Sequence, residues 1–417
     1  MVTLIEALHF RCLQDIQRPL SPFQVLVGPN ATGKTTFLDV IAFLAQMVSQ
    51  GLDAAVNERT QNLEDLIFGR SGKQFELAIE AKVPEDRREK LVNKEYGIIR
   101  YEVSVGLVAK SEEGSILAER VLLKATPTCS KKVQRESFPF PPKPRQTIMS
   151  PKTAKGTKTT VERTMSGMTV FYDELTKLHL PLRFTIGRRK SALGNLPEDE
   201  SQFPVSTWFK RLLLEGIQQF VLNSLLIRKA SPPGQIRGFK PDGSNLPWVI
   251  KNLQKKSPDR FRDWIAHLRT ALPDIEHIHI KERPDDKHRY LVIRYRGGLQ
   301  IPSWVASDGT LRLLALTLPA YLPDFQGVYL VEEPENGIHP TAVQTMFQSL
   351  SSVYNAQMLL ATHSPVILSL ADPNSVLCFA KTKDGATDIV SGSEHPALKE
   401  WKGETSLGVL FAAGVLG

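Results

Sequence analysis

Apolar residues recur along the chain with two different periods, and each change of period marks a change of element. Residues 1 to about 30 read as two strands: "MVTLIEALHFRCLQDI" alternates as a strand, and "FQVLV" (Phe23 to Val27) is a short β-rich run ending in Gly28. From Thr35 to about Gln50 the spacing is helical. Phe37, Ile41, Leu44 and Val48 share a face there, and Gly51 suits the C-terminal cap. Alternation returns from Phe75 to Leu123, in "FELAIEAKV" and "YEVSVGLV", and predicts an antiparallel sheet joined to this first lobe. Ser206 to Lys229 reads as a helix burying Phe209, Leu213, Ile217, Phe220 and Leu225. "KPDGSNLPWVIKNL" predicts a turn into a second helix, and Phe261 to Leu272 a third, together a helical arm. Strands resume with "HIHI" and "RYLVIRYR". From Val328 strand and helix alternate, through "VYLV", a helix from Pro340, "MLLA" and "SVLCFA", as in a parallel α/β sheet. No heptad pattern is sustained, so no long coiled coil is expected.

One stretch fits neither period. Lys124 to Arg163 contains "FPFPPKPRQ" and "SPKTAKGTKTT", with 10 basic residues against 2 acidic ones. Such composition buries little, and it reads as a mobile basic insertion, either a solvated loop or a DNA-contacting arm. The pattern divides the chain into a first lobe (1–123), the insertion (124–165), the arm (166–296) and a second lobe (297–417).

Composition narrows the setting. A chain of 417 residues with 41% hydrophobic and 23% charged residues has the make-up of an ordinary globular protein large enough for several lobes. Its net charge of +8 fits a polyanionic partner such as nucleic acid, although solvated lysines give the same sum. Cys12, Cys129 and Cys378 are too scattered for a zinc site or a disulfide framework, which suits the cytoplasm. No run approaches the length of a transmembrane helix, and the alternating, charged N-terminus does not resemble a signal peptide.

The chemistry lies in four short stretches. "GPNATGKT" (Gly28 to Thr35) matches GxxxxGK[ST] between a strand and a helix; a chance match in a chain this long is of order one per cent. Its backbone N–H groups can wrap phosphates, Lys34 can reach the β- and γ-phosphates, and Thr35 can ligate Mg²⁺. "VYLVEEPENGIHP" ends an apolar strand in two carboxylates: Glu332 for the Mg²⁺ shell and Glu333 to orient and deprotonate an attacking water. "LLATHSP" ends the next strand at His363, within reach of the γ-phosphate or that water. "SDGTLRLLAL" begins with a helix N-cap and a glycine, a second place for an anion, at Ser307 and Gly309.

In this order the four stretches resemble the ABC-type ATPases of the RecF, SMC and OLD group, specifically the standalone bacterial AAA family ATPases. "GPNATGKTT" corresponds to their Walker A, covering Gly28, Pro29, Asn30, Ala31, Thr32, Gly33, Lys34, Thr35 and Thr36. "SDGTLRLLAL" corresponds to the signature, "VYLVEEPENGIHP" to Walker B and D-loop, and "ATHSP" to the switch histidine. Arg11 stands where an arginine often approaches the nucleotide. The resemblance implies an α/β ABC-type ATPase head with an antiparallel β subdomain, binding ATP and Mg²⁺. It implies a homodimer or higher even oligomer in which Ser307 and Gly309 of one copy close over the γ-phosphate held by the other. It also implies a role in anti-phage defence or DNA repair, with DNA and a separately encoded effector such as a TOPRIM nuclease. Three departures stand out: Glu332 where aspartate is common, no assignable Q-loop glutamine (Gln61 and Gln74 are weak candidates), and no coiled coil. An ATP-binding transporter subunit and an ATP-locked scaffold with little turnover remain compatible with the same motifs.

Overall fold

The computed structural model describes residues 1–108, 113–126, 135–151, 155–176, 182–236, 238–398 and 405–416. Cys129, parts of the basic insertion and the final glycine lie outside them.

The chain opens with the hairpin β1 (Val2–Phe10) and β2 (Leu13–Pro19), then leaves it through β3 (Phe23–Val27) for a different sheet. β4 (Gln74–Lys82), β5 (Tyr96–Leu107), β6 (Gly114–Ala125), β7 (Thr157–Arg163), β8 (Met168–Phe171) and β9 (Leu182–Thr185) return to the first sheet. They complete an eight-stranded antiparallel sheet in the order β2-β1-β4-β5-β6-β7-β8-β9. β10 (Ile217–Phe220) joins the central sheet, and β11 (Ile275–Glu282), β12 (Arg289–Tyr295) and β13 (Gln300–Pro302) form a small antiparallel sheet. β14 (Gly327–Glu332), β15 (Ala356–Thr362), β16 (Val376–Lys381) and β17 (Thr387–Ser391) complete the central sheet, ordered β10-β14-β15-β3-β16-β17 and parallel except for β17.

Strands covered on both faces must be apolar at every position, and β15, all seven of whose residues are buried, meets that condition. Alternate residues feed two cores. Leu26, Leu330, Leu359 and Phe379 face the first lobe, where the helix Lys34–Gln50 lies between the two large sheets. Phe10, Phe43 and Phe75 interlock there with ring centroids 5.1–5.7 Å apart. Val27, Val331, Leu360 and Cys378 face the second core, built from the helices Leu246–Lys256, Pro258–Ala271, Asp308–Thr317 and Pro340–Ser351. The expected arm helices therefore join the second core, packing on one another, on the helix Pro340–Ser351 and on the small antiparallel sheet. No helix among the described residues is longer than the 17 residues of Lys34–Gln50, and none is long and apolar enough to cross a membrane.

Two expectations change. The helix drawn over Ser206 to Lys229 is instead a helix (Pro204–Arg211), a π-turn (Leu212–Gly216), strand β10 and a short helix (Ser224–Arg228). Within the segment read as a mobile insertion, residues 135–151 are seated on the outer face of the first sheet. Arg145 forks Asp15 (2.6–3.1 Å) and reaches Glu6 (2.7 Å), Ile148 N donates to Glu76 (2.8 Å), and Ser150 N to Glu102 (2.9 Å). Arg135 pairs with Asp388 of β17 at 2.8 Å. These arginines face carboxylates of the same chain.

Candidate functional site

Parallel strands deliver their C-terminal tips to one edge of the sheet, and β3, β14 and β15 are neighbours there. β3 ends in the phosphate loop. Gly33 has φ +99°, in the left-handed region, and a Cβ there would come within 2.4 Å of Thr387 Oγ1, so only glycine fits. Ala31 is also left-handed, at φ +61°. Thr32 Oγ1 donates to Pro29 O (2.8 Å), and Thr387 Oγ1 donates to Thr32 O (2.9 Å), bracing the loop from β17. Pro29, Asn30 and Ala31 are exposed, while Gly28, Thr32 and Thr36 are buried. Lys34 Nζ donates to Gly28 O (2.6 Å) and Pro29 O (2.9 Å). Burial lowers the Lys34 pKa, opposed by the charges of Glu333, Glu332 and Glu335.

Thr35 Oγ1 donates to Glu332 Oε2 at 2.6 Å, joining residues 297 positions apart in the chain. The longer glutamate thus reaches the loop hydroxyl. Glu333 follows at φ +45°, a strained angle for a side chain of this size, held by its N–H donating to Ala361 O (2.8 Å). Its carboxylate lies between Asn336 Nδ2 (2.6 Å) and His363 Nδ1 (3.3 Å), and both Glu333 and His363 remain solvent-accessible. Glu335 accepts from Thr362 Oγ1 beside them.

A hydroxyl and a single carboxylate are hard oxygen donors that leave most of a coordination shell open. That suits Mg²⁺, which keeps waters and nucleotide phosphates as ligands. No group of three or more His, Cys, Asp or Glu side chains is arranged for a metal among the described residues.

The other expected residues make no hydrogen bond to this cluster among those of the described residues. Ser307 Oγ caps its own helix, accepting from Thr310 N (3.2 Å), and Gly309 packs on its own D-loop, where a Cβ would come within 2.7 Å of Gly337 O. Arg11 sits on the β1–β2 turn beside the loop, but its guanidinium is turned to Asp39 at 3.2 Å. Sequence reasoning missed Gln219, whose Nε2 donates to Glu332 Oε1 at 3.3 Å. Its signal was hidden inside the misread helix. Gln61 and Gln74 make no bond to the cluster among the hydrogen bonds of the described residues.

Residues 23–152 and 166–369 match the family described as "AAA domain, putative AbiEii toxin, Type IV TA system". The chain belongs to this family. Membership makes it an AAA-domain protein of the P-loop ATPase class, with ATP binding as the family property. An OLD nuclease from Thermus scotoductus is 49% identical over 41 residues, 10% of this chain and 8% of that protein. The chain thus spans less than a tenth of that relative. An Smc head bound to the C-winged helix domain of ScpA superposes with a TM-score of 0.52 at 15% identity, covering 93% of this chain and 96% of the other. Its fold, a mixed α/β ABC-ATPase head with an antiparallel sheet, is the fold of this AAA-domain protein. A Pyrococcus furiosus Smc head with an extended coiled coil, bound to the C-terminal domain of ScpA, aligns over 93% of this chain and 95% of that one at 14% identity (TM-score 0.47).

Proposed function

We propose that the chain is a Mg²⁺-dependent ATPase that closes as a homodimer, or a higher even oligomer, around ATP. The observation that carries this reading is the meeting of Thr35, Glu332, Glu333 and His363, drawn from three strand tips onto one edge. In it, the backbone of residues 28–36 cradles the phosphates and Lys34 neutralises them. Thr35 and Glu332 hold Mg²⁺, which supplies further positive charge to the phosphates. Glu333 accepts the proton of the attacking water, and His363 steadies Glu333 and the γ-phosphate. Ser307, which caps its own helix, and Gly309, which packs on its own D-loop, complete the site of a second copy.

The biological reading follows at one remove. The family description names a toxin system, and the short OLD nuclease match points toward nucleic acid. Together with the charge of +8, they support action on DNA and control of a separately encoded effector, such as a nuclease, in defence or repair. The cytoplasm is the compartment this implies.

The test is ATP turnover across protein concentrations, with and without linear duplex DNA, for wild type and Glu333→Gln. Turnover should rise more than linearly with concentration. Glu333→Gln should lose about 10²–10⁴-fold while still binding ATP. Linear turnover that survives the substitution overturns the proposal. A rate blind to DNA removes the nucleic-acid part and redirects the search to a protein partner.

A further inference from the structure

The N-terminus of the signature helix carries a charge of the wrong sign for its proposed task. Asp308 is its first residue, next to the N-cap Ser307, and its side chain is 60% exposed. For its own helix this is favourable, since a carboxylate complements the N-terminal dipole. For a triphosphate arriving from a second copy it is repulsive, a negative charge exposed at the helix end the phosphate would approach.

Arg228 is built against it. The short helix Ser224–Arg228 ends there, its guanidinium donating from Nε (3.0 Å) and Nη2 (2.6 Å) to Asp308 Oδ1. Nη1 donates to Trp304 O (3.1 Å), and Ser303 Oγ donates to the Arg228 carbonyl (2.9 Å). Arg228 therefore neutralises Asp308 and pins the loop that leads into Ser307. A planar fork suits this double duty better than an ammonium.

We propose that Arg228 is a positioning residue for ATP-driven dimerisation: by neutralising and turning aside Asp308, it keeps the signature helix N-terminus receptive to the γ-phosphate of the partner's nucleotide. The inference rests on the composite-site reading above. It differs from simple tethering in one respect, because the damage done by removing Arg228 comes from the carboxylate left behind.

Suppression separates the two. In the Glu333→Gln background, ATP-dependent dimerisation is measured by sedimentation for the parent, Arg228→Met, Asp308→Asn and the double variant. Fluorescent-ATP binding at low protein concentration and thermal unfolding serve as controls. Arg228→Met should weaken dimerisation at least tenfold with monomer ATP binding unchanged. Adding Asp308→Asn should restore it to within about threefold of the parent. Asp308→Asn alone should dimerise at least as tightly as the parent, an outcome readable even if Arg228→Met does not fold. A double variant as weak as Arg228→Met, or an Asp308→Asn variant that is itself tenfold weaker, makes the pair a tether and overturns the inference. A parent that stays monomeric with ATP overturns the composite-site reading and this inference with it.

Discussion

Thr35 and Gln219 approach Glu332 on its two oxygens, at 2.6 and 3.3 Å, one from the phosphate-loop helix and one from the edge strand β10. A glutamate spans that gap, and an aspartate, one methylene shorter, would leave at least one of the contacts unmade. Glu332→Asp should therefore raise the Mg²⁺ concentration for half-maximal turnover by about tenfold, the scale at which orienting contacts act on a bound metal. Titrating Mg²⁺ at saturating ATP checks this, and an unchanged requirement would mean that the longer side chain has no bearing on the site. The main residues of this cluster were legible beforehand because each sits in a motif at a strand tip. Gln219 was not, since its partner is 113 residues away and only the pairing of β10 with β14 brings the two together.

Elements follow their local pattern where contacts are local and depart from it where they are not. The helix Lys34–Gln50 was readable from its apolar face alone. The stretch after Arg211 carries the same spacing yet turns into β10, because Gly216 meets Gly327 of β14. A Cβ on Gly327 would come within 2.5 Å of Gly216 O, so the chain leaves the π-turn tight against β14 and continues as its parallel neighbour. The seating of residues 135–151 was equally hidden, since the carboxylates that hold it lie on β1, β2, β4 and β5. Two elements give predictions. Gly309→Ala should push the signature helix off its own D-loop and cut turnover at least tenfold, with thermal stability reporting whether the fold itself survives. Glu174 is buried and accepts from Val205 N (2.7 Å) and Ser206 N (2.9 Å), capping the helix Pro204–Arg211 from a distance. Burial pushes its pKa from 4.5 up to about 7, against these bonds. Below pH 4.5 the group is protonated in both states. As pH rises toward 7 the unfolded chain releases the proton first, so folding stability falls, by about 3 kcal/mol in all. Denaturant titrations from pH 5 to 8 should show that slope in wild type and a flatter one in Glu174→Gln.

At the scale of the whole molecule, the phosphate loop and the signature helix belong to different elements and bond to different parts of the chain. Lys34 is tied to its own loop, and Ser307 to its own helix and, through Asp308, to Arg228. On the composite-site reading proposed above, one copy alone presents two half-sites. This arrangement makes a prediction that no single-chain site can imitate. Lys34→Ala and Ser307→Arg should each abolish turnover as homodimers, the first by removing the phosphate cation and the second by blocking the helix N-terminus. Mixed in equal amounts, about half of the dimers should pair one of each. In such a dimer one site carries both lesions and the other carries neither, so up to about a quarter of wild-type turnover should return. Turnover is read after mixing, with heterodimer content measured through two different affinity tags. Recovery near that level means that sites are shared across the interface. Heterodimers without recovery mean that each copy completes its own site, and Ser307 and Gly309 then serve only to cap a helix and pack it against the D-loop.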